Sequence, residues 1–267
     1  MIDLNTRSNA SLLQQVQQKQ DSILEKLASG KRVNSAADGA AAQQIIDRLT
    51  SQVEGNRQAI ANTYDGISLT QVAEGGLSGI NEGVNRIREL SVQAGNGLLS
   101  DGDRKALQAE VSQLQQNISQ TIKQTEFAGK PLLSGTGNID FQVGANAGQK
   151  ISVGTQDVAA NLSDVLNVDL TAAQGPEAAL AAADSAIQYV GSARSDLGAL
   201  QNRFESNARN LTQADVNVSA ARSRIQDTDY AQLTAENTAA NILSQAATAV
   251  QRQANQQQGQ ALSLLNP

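Results

Sequence analysis

The chain has 267 residues, a formal net charge of -6, no Cys, no His and no Trp, and only three Tyr and three Phe. Those absences exclude a Ser/His triad, a thiol nucleophile, a disulfide and the usual zinc site; they leave carboxylates, Lys, Tyr and Ser/Thr for any catalysis, and no catalytic, cofactor-binding or metal-binding residue is picked out. The acidic balance makes nucleic acid a poor partner, and an aromatic content of 2% leaves Ala, Leu, Ile and Val to supply the apolar surface, which suits thin helix-to-helix seams better than a bulky core.

The opening MIDLNTRSNASLLQQVQQKQ has no apolar h-region of a secretory signal, and no run approaches the roughly 18 apolar residues of a membrane span. From Leu13 to Leu27 apolar residues fall at Leu13, Val16, Ile23 and Leu27, with Gln20 filling the missing step of a heptad-like stripe. The stretch LASGKRVNSAADGA follows. A phosphate-binding loop would need Gly and Ser or Thr where Glu25 and Arg32 stand, and Lys31 with Arg32 is too small for a basic patch. Its Gly30, Asn34 and Gly39 read instead as a hinge between helices.

A second helix is predicted over 41–94, stepping through Leu77, Ile80, Val84, Ile87, Leu90 and Ala94. Gly75 and Gly76 interrupt it and weaken it by about 1 kcal/mol each relative to Ala unless close packing needs them. Ser100 with Asp103 forms a capping-box pattern ahead of a third helix that carries Leu107, Val111, Leu114, Ile118 and Ile122 on one face. Its short connection implies antiparallel packing. Carboxylates such as Asp47, Glu54, Glu89 and Glu110 read as solvated helix faces, because no catalytic constellation surrounds them.

Alternation at Ile139, Phe141 and Val143, then at Ile151 and Val153, predicts a β-hairpin near 137–155. Helix resumes at Pro176. Val190, Leu197, Phe204, Leu211, Val218 and Ile225 then recur every seventh residue, with Asn207 the polar exception in the accompanying row of Ala193, Leu200, Ala214 and Ala221. Continuous helix from Pro176 to Ile225 would span about 75 Å, too long for a small globule. The fold class expected is therefore mainly α, an elongated coiled-coil or helical-bundle rod of long antiparallel helices with a small β-hairpin region. The Ala-rich TAANILSQAATAVQRQANQQ near the end is a thin helix, marginal without partners.

Taken in order, SLLQQVQQKQ, LEKLASGKRVNSAADGAA, YDGISLTQVAEGGLSGINEGVNRIRELSVQAGNG, TEFAGKPLLSG, SRIQDTDYA and the closing QALSLLNP resemble bacterial flagellin. The resemblance covers both ends, and only some forty residues separate the helical parts, so this looks like a short form without the large variable outer domains. It implies an inner coiled-coil domain of 1–30 and 229–267, a spoke linker of 31–41, and an outer rod of 42–228 including the hairpin. It implies a non-enzymatic, extracellular subunit that polymerises into the flagellar filament for motility, with Val190 to Ile225 as an assembly seam. The expected partners are other copies of the chain, hook-associated junction and cap proteins, the flagellin export chaperone, the flagellar export apparatus and host innate receptors. Arg86, Leu90 and Glu110 match positions presented to an animal cell-surface receptor, and Leu262, Leu264 and Leu265 match those read by cytosolic receptors. Competing readings are a hook-filament junction protein and a secreted effector.

Overall fold

The computed structural model describes the backbone of residues 2–265, and side chains over 11–257 and at Gln260. Helices α1 (Ile2–Ser29), α2 (Ala36–Ala94) and α3 (Asp101–Gln124) lead into two antiparallel strand pairs, β1 (Glu126–Phe127) with β2 (Lys130–Pro131) and β3 (Gly137–Gln142) with β4 (Lys150–Thr155). Short helices α4 (Val158–Asn161) and α5 (Ser163–Leu166) precede α6 (Gly175–Gln226) and α7 (Tyr230–Leu265). The chain divides into two compact units, one of 1–53 with 216–267 and one of 54–215. These divisions fall inside α2 and α6, about twelve residues from each of the expected boundaries at 41/42 and 228/229.

In the unit of 54–215, the predicted faces become one core. Leu77, Ile80, Val84, Ile87, Leu90 and Ala94 of α2 meet Val111, Ile118 and Ile122 of α3, together with Ala179, Ala183, Ala186, Val190 and Phe204 of α6. The apolar residues recur at three- and four-residue steps, so each helix presents one stripe inward and keeps its charges in water. The Ser100 capping box forms as read: the Ser100 side chain accepts from the Asp103 amide, and the Asp103 carboxylate accepts from the Ser100 amide.

Ala packing alone does not close this core. Phe204 is fully buried, its ring edge-on to Phe141 of β3 with centroids 5.6 Å apart. It can lie this close to α2 because residue 66 is Gly, where a Cβ would stand 2.5 Å from the ring. The paired glycines of α2 separate in role for the same reason. A Cβ on Gly76 would meet Thr125 Oγ1 at 2.5 Å, whereas one on Gly75 would meet nothing within 4 Å.

The β3–β4 hairpin pairs Ile139 with Val153 and Phe141 with Ile151, in the alternation read from sequence. Polar side chains of the helices tie down its far end. Asn62 Nδ2 donates to the Gln142 carbonyl at 2.9 Å, and Asn207 Nδ2 to the Val143 carbonyl at 2.9 Å. The polar exception in the α6 repeat is thus a hairpin anchor, set where an apolar residue would take away the partner of the carbonyl just past β3. The β1–β2 pair is absent from the sequence reading; it turns through Ala128 and Gly129, both at positive φ, as two-residue hairpin turns require. The short helices α4 and α5 escaped as well, since each is a single turn held from outside. Gln115 Nε2 donates to the Val165 and Val168 carbonyls, and Gln108 Oε1 accepts from the Leu170 amide at 2.7 Å.

The unit of 1–53 and 216–267 has far less to bury. Ile23 of α1 packs with Leu233 and Ala240 of α7, and Leu27 lies against them. Gln20, the polar step in the α1 stripe, donates to Asn241 Oδ1 at 2.6 Å. A polar pair inside an apolar seam costs stability and sets register.

Candidate assembly and recognition surfaces

The hinge read at Gly30, Asn34 and Gly39 is the best-bonded part of the first unit. Gly30 takes φ +68 and its amide closes onto the Lys26 carbonyl, ending α1 as a left-handed cap. The chain then pairs with the α6–α7 junction: the Arg32 amide donates to the Gln226 carbonyl, the Thr228 amide to the Gly30 carbonyl, and Arg32 Nη2 to the Ile225 carbonyl at 2.9 Å. Asn34 bonds Glu25 through its side chain and Asp38 through its amide.

The second helix, predicted from residue 41, begins five residues earlier. Helix α2 starts at Ala36, and within it only Gly39 leaves helical geometry, with φ 161 and ψ 95. The start is set by Asp38, whose carboxylate accepts from the Asn34 and Ser35 amides. Those backbone bonds, above all the one from Ser35, hold it below the usual carboxylate range.

The heptad series on α6 divides. Val190 and Phe204 have no exposed surface and belong to the core of 54–215, with Leu197 packed against it. They are not available to a neighbouring subunit, which corrects the expectation of a seam running unbroken from Val190. Leu211, Val218 and Ile225 keep part of their surface. Apolar side chains on α1 and α7 are more open: Ile242 is 62% exposed, Leu243 58% and Leu12 51%.

The recognition positions divide too. Arg86 reaches from α2 to α3, its Nη2 2.7 Å from Glu110 Oε1, and also contacts Glu89 at 3.0 Å. The hydrogen bonds that Arg86 donates, to Glu110 first and then to Glu89, raise its pKa. Leu90 is 1% exposed and packs into the core beneath. Its side chain lies on the inward stripe of α2 and has almost no surface of its own. Leu262, Leu264 and Leu265 fall in the last turns of α7, and their side chains lie outside the described residues.

A partly open cavity of about 150 Å³ is walled by apolar residues including Leu69, Leu77, Leu133, Val153 and Leu197. Among the described residues no group of carboxylates gathers to hold a metal, and no helix is long and apolar enough to cross a membrane.

Two family models match the chain, the bacterial flagellin N-terminal helical region over residues 1–138 and the bacterial flagellin C-terminal helical region over 180–265. The chain belongs to the bacterial flagellin family. It is 40% identical to Bacillus subtilis flagellin in an alignment covering 98% of this chain and 97% of that one. A flagellar filament 33 kDa core protein of Treponema phagedenis is 38% identical, with 91% of each chain covered. A crystal structure of Bacillus cereus flagellin superposes with a TM-score of 0.53 at 27% identity, over 61% of this chain and 94% of that one. The flagellin family is structural, and its helical N- and C-terminal regions account for α1 to α3 and for α6 with α7.

Proposed function

We propose that this flagellin is the structural subunit of a bacterial flagellar filament, and that its function is mechanical. The observation that carries this beyond family membership is the division of apolar side chains. The unit of 54–215 gathers most of its apolar side chains into one core and leaves Tyr64, Val72, Val92 and Leu98 exposed; the other, with a far smaller core, leaves Ile242, Leu243, Leu12 and Val250 at least half exposed on α1 and α7. Side chains of that kind, spread along two long helices, are what neighbouring copies would bury in an open helical array. Leu211, Val218 and Ile225, partly exposed on α6, are the positions of the heptad series left for such a seam.

The inner domain, on this reading, is built from α1 and α7, the spoke from the 31–41 stretch with its partner 226–228, and the outer rod from the unit of 54–215. The subunit acts outside the cell, which it reaches through the flagellar export apparatus. Thinly buried terminal helices suit that route, since they gain most of their order on assembly. The C-terminal helix is the segment an export chaperone would cover. Junction and cap proteins would meet the same exposed seams at the filament ends. An animal receptor would contact Arg86 and Glu110, with Leu90 only supporting the surface from below; cytosolic receptors would read Leu262, Leu264 and Leu265.

Electron microscopy of purified protein added to filament seeds tests the assembly reading. Long fibres are expected from the unaltered chain, and none from Leu211→Asp. Because Leu211 is partly buried, Ile242→Asp serves as a second variant at a site exposed in the single chain. Normal fibres from both variants would overturn the proposal.

A further inference from the structure

The turn between α2 and α3 carries the chain's one Asn-Gly pair, Asn96–Gly97, among its asparagines. Both residues are exposed, and the next, Leu98, is 93% exposed. The Asn96 side chain folds over the backbone that follows it, its Oδ1 accepting from the Leu98 amide at 3.1 Å. That turn brings the side-chain carbonyl carbon towards the intervening Gly97 nitrogen. The Gly97 amide makes no hydrogen bond within the described chain, and nothing lies within 4 Å of the place where a Cβ would stand. By contrast, an asparagine in a helix interior, such as Asn117 of α3, is followed by an amide tied into an intrahelical bond.

We propose that Asn96 is a site of spontaneous, water-driven deamidation in the folded protein. Loss of the Gly97 amide proton to solvent base lets its nitrogen attack Cγ of Asn96. A new N–Cγ bond closes a five-membered succinimide, the Cγ–Nδ2 bond breaks, and Nδ2 leaves as ammonia with a proton returned from solvent. Water then adds to one of the two ring carbonyls. Opening at Cγ leaves an ordinary aspartyl side chain at this position, and opening at the main-chain carbonyl carbon gives an iso-aspartyl link with one extra backbone carbon. No electron transfer is involved, and each event replaces an NH by an oxygen and adds one carboxylate.

That carboxylate arises just beyond the C-terminal end of α2, where the helix dipole disfavours negative charge. Arg104 of α3, whose Nη2 already lies 3.5 Å from the Asn96 carbonyl oxygen, is placed to face it. The iso-aspartyl form lengthens the turn and removes the geometry of the Asn96–Leu98 bond, so the α2–α3 connection loosens as the protein ages.

The test is to age the purified full chain at mildly alkaline pH and follow intact mass, peptide maps and iso-aspartyl content by enzymatic methyl transfer. The expected result is a mass gain localised to residue 96, faster at higher pH, with methyl-accepting iso-aspartate. Gly97→Ala keeps the asparagine while crowding the attacking nitrogen, in open space that tolerates a methyl group, and should suppress both signals. An equal gain in Gly97→Ala, a gain spread over other asparagines, or no gain at all would overturn the proposal.

Discussion

The two compact units are built from the same kind of helix and differ in what they bury. Within 54–215, stripes from α2, α3 and α6 converge with the hairpin on a continuous core, and Leu77, Ile80, Val84, Ile87 and Leu90 are all at or below 1% exposure. In the other unit, α1 and α7 share a seam whose fully covered apolar residues are Ile23, Leu233 and Ala240. A two-helix seam can cover only one stripe per helix, while a third helix and a hairpin cover two. Local opening should therefore cost little in the first unit and much in the second, a contrast that suits a subunit that gains order on assembly.

The contrast is broken most directly at Phe204. Truncation to Ala removes the ring that joins α2, α6 and β3 and should cost about 3–5 kcal/mol, read as a lower denaturation midpoint for probes in 54–215. Amide exchange in α1 and α7 should change much less; an equal loss there would show that the two units do not unfold separately. The neighbouring glycines of α2 offer a test of opposite signs. Gly76→Ala drives a methyl group into Thr125 and Leu133 and should destabilise by about 1–3 kcal/mol, whereas Gly75→Ala, in open space, should stabilise by about 1 kcal/mol. Thermal melts of the two variants should move in opposite directions.

Smaller effects belong to the caps. Ser100→Ala removes the side-chain half of the α3 capping box and should cost about 1 kcal/mol. The same cap predicts a pH response. The Ser100 hydroxyl, then its amide, hold Asp103 below the usual carboxylate range, so this group stabilises the fold above its unfolded pKa, and the contribution is lost as pH falls through the lower folded value. An acid titration of helical signal should show a shallower slope in the Ser100→Ala variant. Least of all is expected from Arg86→Ala. Its bond to Glu110 is well formed, but both side chains are about half exposed, and solvent and salt screen such pairs. A Tm indistinguishable from the parent is expected, and a large drop would mean that the α2–α3 contact depends on this pair rather than on the apolar stripe.

Much of this was legible in the residue order. The α2, α3 and α6 stripes, the Ser100 cap and the 139–153 hairpin each follow from periodicity or turn chemistry that acts over a few residues, so the local sequence contains the cause. The surfaces were less legible. Periodicity reports that a residue is apolar and on a given face, and cannot say whether that face meets the same chain or another. Val190 and Phe204 therefore looked like an assembly seam and are core, and Leu90 looked presented and is buried in the same core.

What the sequence determined by itself was the helices, their apolar faces and the absence of His and Cys chemistry, because propensity, spacing and composition are properties of neighbours in the chain. The tertiary structure alone decided the meaning of the exceptions. Asn207 breaks an apolar row in order to hold the Val143 carbonyl, Gln20 breaks another to meet Asn241, Gly76 is needed while Gly75 is not, and Gly30 joins its stretch to residues 226–228. Each depends on an atom brought close by folding from far along the chain, and no local pattern encodes that distance.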